Sequence, residues 1–207
     1  MKRLLTLLAA AAALAFAAAA PAFADSDPSN DSDAITVRIT PAADLGVEID
    51  TAAVTLDFTM AMGETSYTEN PVLVTIVGNI TPQELNIQGA NDSVDPQWSL
   101  DADETAAIDE LQVYGLFSTG LGAHPAQADF DGVKNLITTT PKRAGMASGA
   151  GADENFENNS MSGGTDMDNI PLGATKQLWL RMDAPPYTST TSEQDFTITV
   201  TATRANM

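Results

Sequence analysis

Residues 196–203 read Phe196-Thr197-Ile198-Thr199-Val200-Thr201-Ala202-Thr203, apolar and polar in strict alternation. A pleated strand sends successive side chains to opposite faces, so this pattern predicts a strand with one face on a core and one face in water. Threonine suits the wet face because it is β-branched and can still meet solvent.

Shorter segments of the same kind lie upstream, each bounded by turn residues. Ile35 to Thr40 alternates until Pro41 stops it, Val47 and Ile49 make a brief stretch, and Val54, Leu56 and Phe58 alternate with polar neighbours. Val72 to Val77 is nearly all apolar, as expected of a strand covered on both faces, and Gly78-Asn79 ends it. Leu85 with Ile87 and Trp98 with Leu100 give two brief candidates. Leu178, Leu180 and Met182 alternate with Trp179 and Arg181 before Pro185-Pro186 breaks the chain. Roughly eight short strands without alternating helical patterns predict an all-β fold, an antiparallel β-sandwich of immunoglobulin-like or jelly-roll-like type.

One short helix is expected. Asp101 can cap the free amides of a helix start, Glu104 can reach back in a capping box, and Ala107, Ile108, Leu111 and Tyr114 recur at helical spacing before Gly115. Between Thr138 and Asn169 the chain is rich in Gly, Asn, Ser and Asp with almost no apolar periodicity, which predicts a long loop, functional or disordered.

The amino-terminal residues read as an address. Lys2 and Arg3 precede an unbroken apolar run from Leu4 to Ala20, and Ala22-Phe23-Ala24 places small residues at the −3 and −1 positions of a cleavage site. This is the pattern of a secretory signal peptide cut after Ala24, and the run is shorter than the roughly 20 residues that cross a bilayer. Without a twin arginine, the general secretory route is expected, and with it an extracellular, cell-surface or periplasmic location. No later apolar stretch approaches membrane length. Asp25 to Asp33 has four Asp and no apolar residue, a flexible acidic leader, and residues 34–207 are expected to form one domain.

Composition excludes several functions. The chain has 207 residues, 28 acidic against 9 basic, and loss of residues 1–24 with Lys2 and Arg3 takes the formal charge from −19 to −21. That balance repels nucleic acid and anionic lipid. The absence of cysteine rules out disulfides, thiolate metal sites and a cysteine nucleophile. The single histidine, His124, precedes Pro125 in a loop-forming context, and no G-x-S-x-G elbow is present, so no catalytic residue is assigned and no enzyme is expected.

Binding residues are fewer still. Asp101-Ala102-Asp103 resembles the opening of an EF-hand loop, but Ala106 and Gln112 stand where its glycine and bidentate glutamate belong. A looser calcium site could form from Asp166, Asp168 and Asn169, or from Asp153, Glu154 and Asn158, against the reading that these are solvated acids. Trp179 is out of phase with Leu178, Leu180 and Met182 and so faces away from the core, where with Tyr187 it could stack on a carbohydrate or wall polymer, or be covered by the long loop. The two ends suggest a different role. Ile35, Val37 and Ile39 on one terminal strand and Phe196, Ile198 and Val200 on the other suit self-assembly by strand donation or edge pairing, though a first strand can equally pair within its own domain.

The run ITPAADLGVEIDTAAVTLDF from Ile39 to Phe58, the triplet Trp98-Ser99-Leu100 and the closing FTITVTATRA resemble uncharacterised exported bacterial β-sandwich proteins and, distantly, WxL-type cell-surface domains. Trp98 and Leu100 match the WxL motif, whereas Trp179 is followed by Leu180 and Arg181 and departs from it. The resemblance implies noncovalent attachment to a cell wall. The function expected from the sequence is therefore that of a secreted structural or cell-surface protein, with a carbohydrate or wall-polymer binding module as the alternative and an exported hydrolase, built on a pair of the 28 acids, behind both.

Overall fold

The computed structural model describes residues 38–40, 42–50, 55–93, 97–130, 132–145, 155–158, 160–163 and 165–205. The chain divides into two units between Pro41 and Ala42. Of the first unit, Arg38, Ile39 and Thr40 are exposed and none is in a strand, contrary to the alternation of Ile35 to Thr40. An extended segment becomes a strand only when a second backbone satisfies its donors and acceptors, which a side-chain pattern alone does not supply. The expected signal peptide (1–24), the acidic leader (25–33), and Ile35 and Val37 lie outside the described residues.

The second unit is mostly β. Its described strands are β1 (Leu45–Ile49), β2 (Thr65–Tyr67), β3 (Val72–Gly78), β4 (Gln83–Asn91), β5 (Ser99–Leu100), β6 (Glu110–Ser118), β7 (Lys142–Arg143), β8 (Thr175–Asp183) and β9 (Phe196–Arg204), with one turn of helix, α1 (Gly132–Asn135). The larger sheet runs β1-β3-β8-β6-β5, with β2 also bonded to β8, and the smaller runs β7-β4-β9. Pairing is antiparallel except between β5 and β6, where Ser99 and Leu100 lie parallel to Glu110 and Leu111.

Both sheets line one core. Val72, Val74 and Ile76 of β3, Leu178, Leu180 and Met182 of β8, and Leu111, Val113 and Phe117 of β6 pack with Leu85 and Ile87 of β4 and Val200 of β9. Each such side chain contributes about 1.5–3 kcal/mol by leaving water. The larger sheet has a second apolar layer on its opposite face, where Tyr114, Leu116 and Trp179 meet Phe130 and Leu136.

That double coverage overturns the expected helix. Leu111 and Tyr114 belong to β6, which is buried on both faces at eight of its nine positions, so period-two alternation is absent there. Upstream, Asp101 Oδ1 accepts the Asp103 amide at 2.8 Å and Asp103 Oδ1 accepts the Thr105 amide at 2.9 Å. Two successive aspartate turns thus take the place of a helix cap. Glu104 and Asp109 have φ of 68° and 60°, which a right-handed helix does not contain.

Two other expectations change. Thr55 to Thr59 is not a strand; Phe58 is half-buried against the core without a backbone partner ladder. The stretch expected as a long loop is tied into the fold where it is described. Lys142–Arg143 pairs with Asn86 and Ile87, Gly145 bridges Asn155, and Phe156 and Met167 are fully buried. Turn-rich composition concealed these two isolated core residues, since single apolar side chains leave no period.

Gly145 closes that segment. Its φ is 84°, and an added Cβ would stand 2.6 Å from Asp168 Oδ1 and 3.0 Å from the Met167 carbonyl carbon. Gly145→Ala is expected to destabilise the protein by about 1–3 kcal/mol through backbone strain and overpacking. Thermal unfolding followed by circular dichroism checks this; an unchanged Tm would mean that the segment yields freely.

Candidate functional site

The sheet margins differ in how their backbone is satisfied. Along the outer side of β6, the Leu111 carbonyl accepts the Asp101 amide at 3.0 Å and the Val113 carbonyl accepts the Ile137 amide at 2.7 Å. The Gly115 carbonyl accepts Asn135 Nδ2 at 2.8 Å, and the Phe117 amide donates to the Phe156 carbonyl at 2.8 Å. This edge is capped at every second residue. The opposite margin is not. β9 is bonded to β4 over nine residues, from Asn91↔Phe196 to Gln83↔Arg204, and no described strand pairs with its other side.

β1 ends the larger sheet, with five residues bonded to β3 alone, and it approaches β9 to within 8 Å between Cα atoms. On β9, Phe196, Ile198 and Ala202 are only half-buried, Val200 is buried, and Thr197, Thr199 and Thr201 are exposed. The three assembly residues expected on this strand therefore share the core-facing side of a strand with one open edge. Ile39 of the first unit is 82% exposed.

The two aromatic candidates part company. Trp179 is 1% exposed, with its indole N–H donated to Ser118 Oγ at 2.9 Å. Its phase was legible, but Phe130 and Leu136, with Leu121 and Met161 alongside, cover that face, so the ring is a packing element and not a stacking platform. Tyr187 is 70% exposed. Its carbonyl accepts the Asp109 amide at 3.2 Å, beside Ile108, which is 61% exposed. Asp109 fixes the chain after Tyr187 by accepting Thr188 Oγ1 at 2.9 Å, the Ser189 amide at 2.7 Å and Ser189 Oγ at 2.6 Å. The Ser189 hydroxyl first, and its amide second, hold the Asp109 carboxyl below its ordinary value.

A polar and aromatic row escaped the sequence reading. The registers of β2, β8 and β6 place Tyr67 and Tyr114 on either side of Arg181, whose guanidinium lies 4.1 Å from the Tyr114 ring centroid and is ion-paired with Asp183. Burial opposes the Arg181 charge, but hydrogen bonding and attraction from Asp183 outweigh it and keep its pKa above the ordinary value. The Tyr114 hydroxyl donates toward Gln112 Oε1 at 3.2 Å and Glu104 Oε1 at 3.4 Å. His124 stacks on Tyr67 with centroids 4.2 Å apart. No local signal finds this row, because its members meet through pairing of strands distant in sequence.

Of the calcium candidates, Asp166 and Asn169 are exposed and Asp168 is half-buried. Asp166 Oδ1 accepts the Asp168 amide at 2.7 Å, and the Lys176 ammonium donates to the Asp166 carbonyl at 3.1 Å and to Thr165 Oγ1 at 2.8 Å. Asn158 donates its side-chain amide to the Asp129 carbonyl at 3.0 Å, and Asp153 and Glu154 lie outside the described residues. Among the described residues, no group of three or more acidic or histidine side chains converges as metal ligands.

Two pH dependences follow. Burial, and next the Glu104 carboxylate, push the Tyr114 phenol up to about 12. A folded pKa above the unfolded value of about 10 means stability that is complete below pH 10 and lost as pH rises through the folded pKa. Ultraviolet titration should therefore show one phenol ionising near pH 12, a step that Tyr114→Phe removes. The lowered Asp109 pKa works in the opposite sense: the contribution is present above the ordinary carboxylate range, about pH 4, and lost as pH falls below it. Hydrogen exchange should show the Ser189 amide protected at neutral pH and released as Asp109 is protonated in acid, and Asp109→Asn, which has no proton to gain, should remove that pH dependence.

Comparison with known proteins returns no family model that matches the chain and no curated protein that matches it.

Proposed function

We propose that this protein is an exported, acidic β-sandwich that serves as a structural subunit at the cell surface or in an extracellular assembly, acting through its sheet edges. The observation that carries this reading is the contrast between the two margins. One edge is bonded shut by Asp101, Asn135, Ile137 and Phe156, while the nine residues of β9 are hydrogen-bonded to β4 alone among the described strands, with β1 near but not paired to them. A long bare edge is a template for pairing with another chain unless charge, proline or a bulge blocks it. Here the exposed positions between Phe196 and Val200 are threonines, and the single formal charge on the strand is Arg204 at its end.

In this reading the protein works by association rather than by catalysis. The acidic surface keeps subunits apart until edges align, and noncovalent contact with a wall polymer would hold the assembly at the envelope. A carbohydrate-binding role draws on Tyr187, rigidly mounted beside Asp109, without Trp179 as a second platform.

Negative-stain electron microscopy of the protein recovered after export is the direct test, paired with co-sedimentation on insoluble polysaccharide. Fibres or sheets are the expected result. A protein that stays monomeric at high concentration and is depleted by polysaccharide would replace this reading with that of a binding module.

A further inference from the structure

We infer that the free edge of β9 is an acceptor for a second copy of this chain, and that the segment it accepts is the alternating stretch Ile35 to Thr40 of that copy. The inference rests on the edge-acting subunit proposed above and names its partner.

The acceptor side follows from length, cover and shape. β9 offers nine residues of backbone, against five on β1, three on β2 and two each on β5 and β7, the other described strands with a single strand neighbour. Its core-facing residues are covered unevenly: Val200 is buried, whereas Phe196, Ile198 and Ala202 keep part of their surface in water. An added strand would satisfy the outer backbone groups and bring three more side chains over those half-covered positions. β1 is a shorter template, five residues long, and carries the charge of Glu48 on the face opposite Val47 and Ile49.

The donor side follows from pattern and exposure. Ile35, Val37 and Ile39 fall on one side of an extended chain, and Thr36, Arg38 and Thr40 on the other. That is the pattern of β9 itself, so one face of the added strand continues the apolar margin while the other continues the threonine face. Arg38 would bring a positive charge to a chain of formal charge −19. Arg38 to Thr40 form no strand within the single chain, and Ile39 is 82% exposed. The chain enters the second unit under restraint. Asn79 accepts the Asp44 amide at 2.7 Å on its side chain, and donates its side-chain amide to the Ala42 carbonyl at 3.0 Å and its backbone amide to the Asp44 carbonyl at 3.0 Å. A donated segment would thus pull against a fixed point and transmit its register to the domain behind it.

The natural absence of cysteine makes the test clean. Full-length chains carrying Arg38→Cys are mixed with chains carrying Thr199→Cys or Thr201→Cys, exported, and oxidised; a mixed pair can bond only between copies. Disulfide formation requires Cα atoms within about 7 Å. The expected result is a covalent heterodimer with β9 cysteines and none with Glu48→Cys on β1. In parallel, Ile39→Asp should raise the concentration needed for assembly about tenfold or more, leaving Tm unchanged because Ile39 is exposed in the single chain.

Each contrary result is distinct. Assemblies that cross-link through Glu48→Cys, or not at all, overturn the β9 assignment and leave the edge-acting subunit standing. Closure of the Arg38→Cys, Thr199→Cys double variant into a cross-linked monomer shows that the segment serves its own chain. Monodisperse monomer by light scattering, for the unsubstituted protein at every concentration, removes the subunit reading together with its partner.

Discussion

β8 is the strand on which the larger sheet depends. It bonds to β3 through Thr175 to Leu178, to β2 through Arg181 to Asp183, and to β6 from Gln177 to Asp183. Its inward residues, Leu178, Leu180 and Met182, fill the shared core, while Trp179 anchors a second apolar layer on the opposite face. One strand thus contributes to two separate burials. The arrangement also settles where polar chemistry is tolerated. Arg181 is buried only because Asp183 neutralises it and Tyr114 lies under its planar guanidinium, so its charge meets a partner and a π face in place of water.

The same economy explains the asymmetry of the margins. On the β6 side the chain returns repeatedly, and each return supplies one donor or acceptor that the edge would otherwise present to solvent. On the other margin β1 comes near, but no described strand pairs with the outer side of β9. Four threonines and a terminal arginine keep that strand wet without closing it. A protein with this much acid among its residues gains little from further charged gatekeepers, because repulsion between molecules already slows random collision.

What could be read from the residues alone divides along physical lines. β9 was legible because one side faces the core and the other does not, which writes period two into the chain. β8 was legible from Leu178, Leu180 and Met182 although Trp179 is buried on its other face, and β3 from its apolar run, of which Val72, Val74 and Ile76 alone are buried and not both faces as that run suggested. β6 was not, since cover on both faces erases the period, and Asp101 suggested a helix because an aspartate serves a helix start and a tight turn with the same oxygen. Phe156 and Met167, single apolar residues in a polar stretch, offered no pattern, yet both are fully buried. Among the site residues, the apolar positions of β9 and the phase of Trp179 could be seen, but what covers the indole could not. The Tyr67, Arg181 and Tyr114 row depends on the registers of strands far apart in the chain, information that no local window contains.

The bridge between Gly145 and Asn155 carries a consequence for how such a chain tolerates change. Its two flanks are fastened to the core, Ala144 to the Leu85 carbonyl and Phe156 to the Phe117 amide, so their spacing is set by the sheets on either side. Closing a chain between two fixed ends grows harder only slowly with length, by about 0.6 kcal/mol for each doubling, so a change in residue number between the flanks would disturb closure far less than a change in either flank.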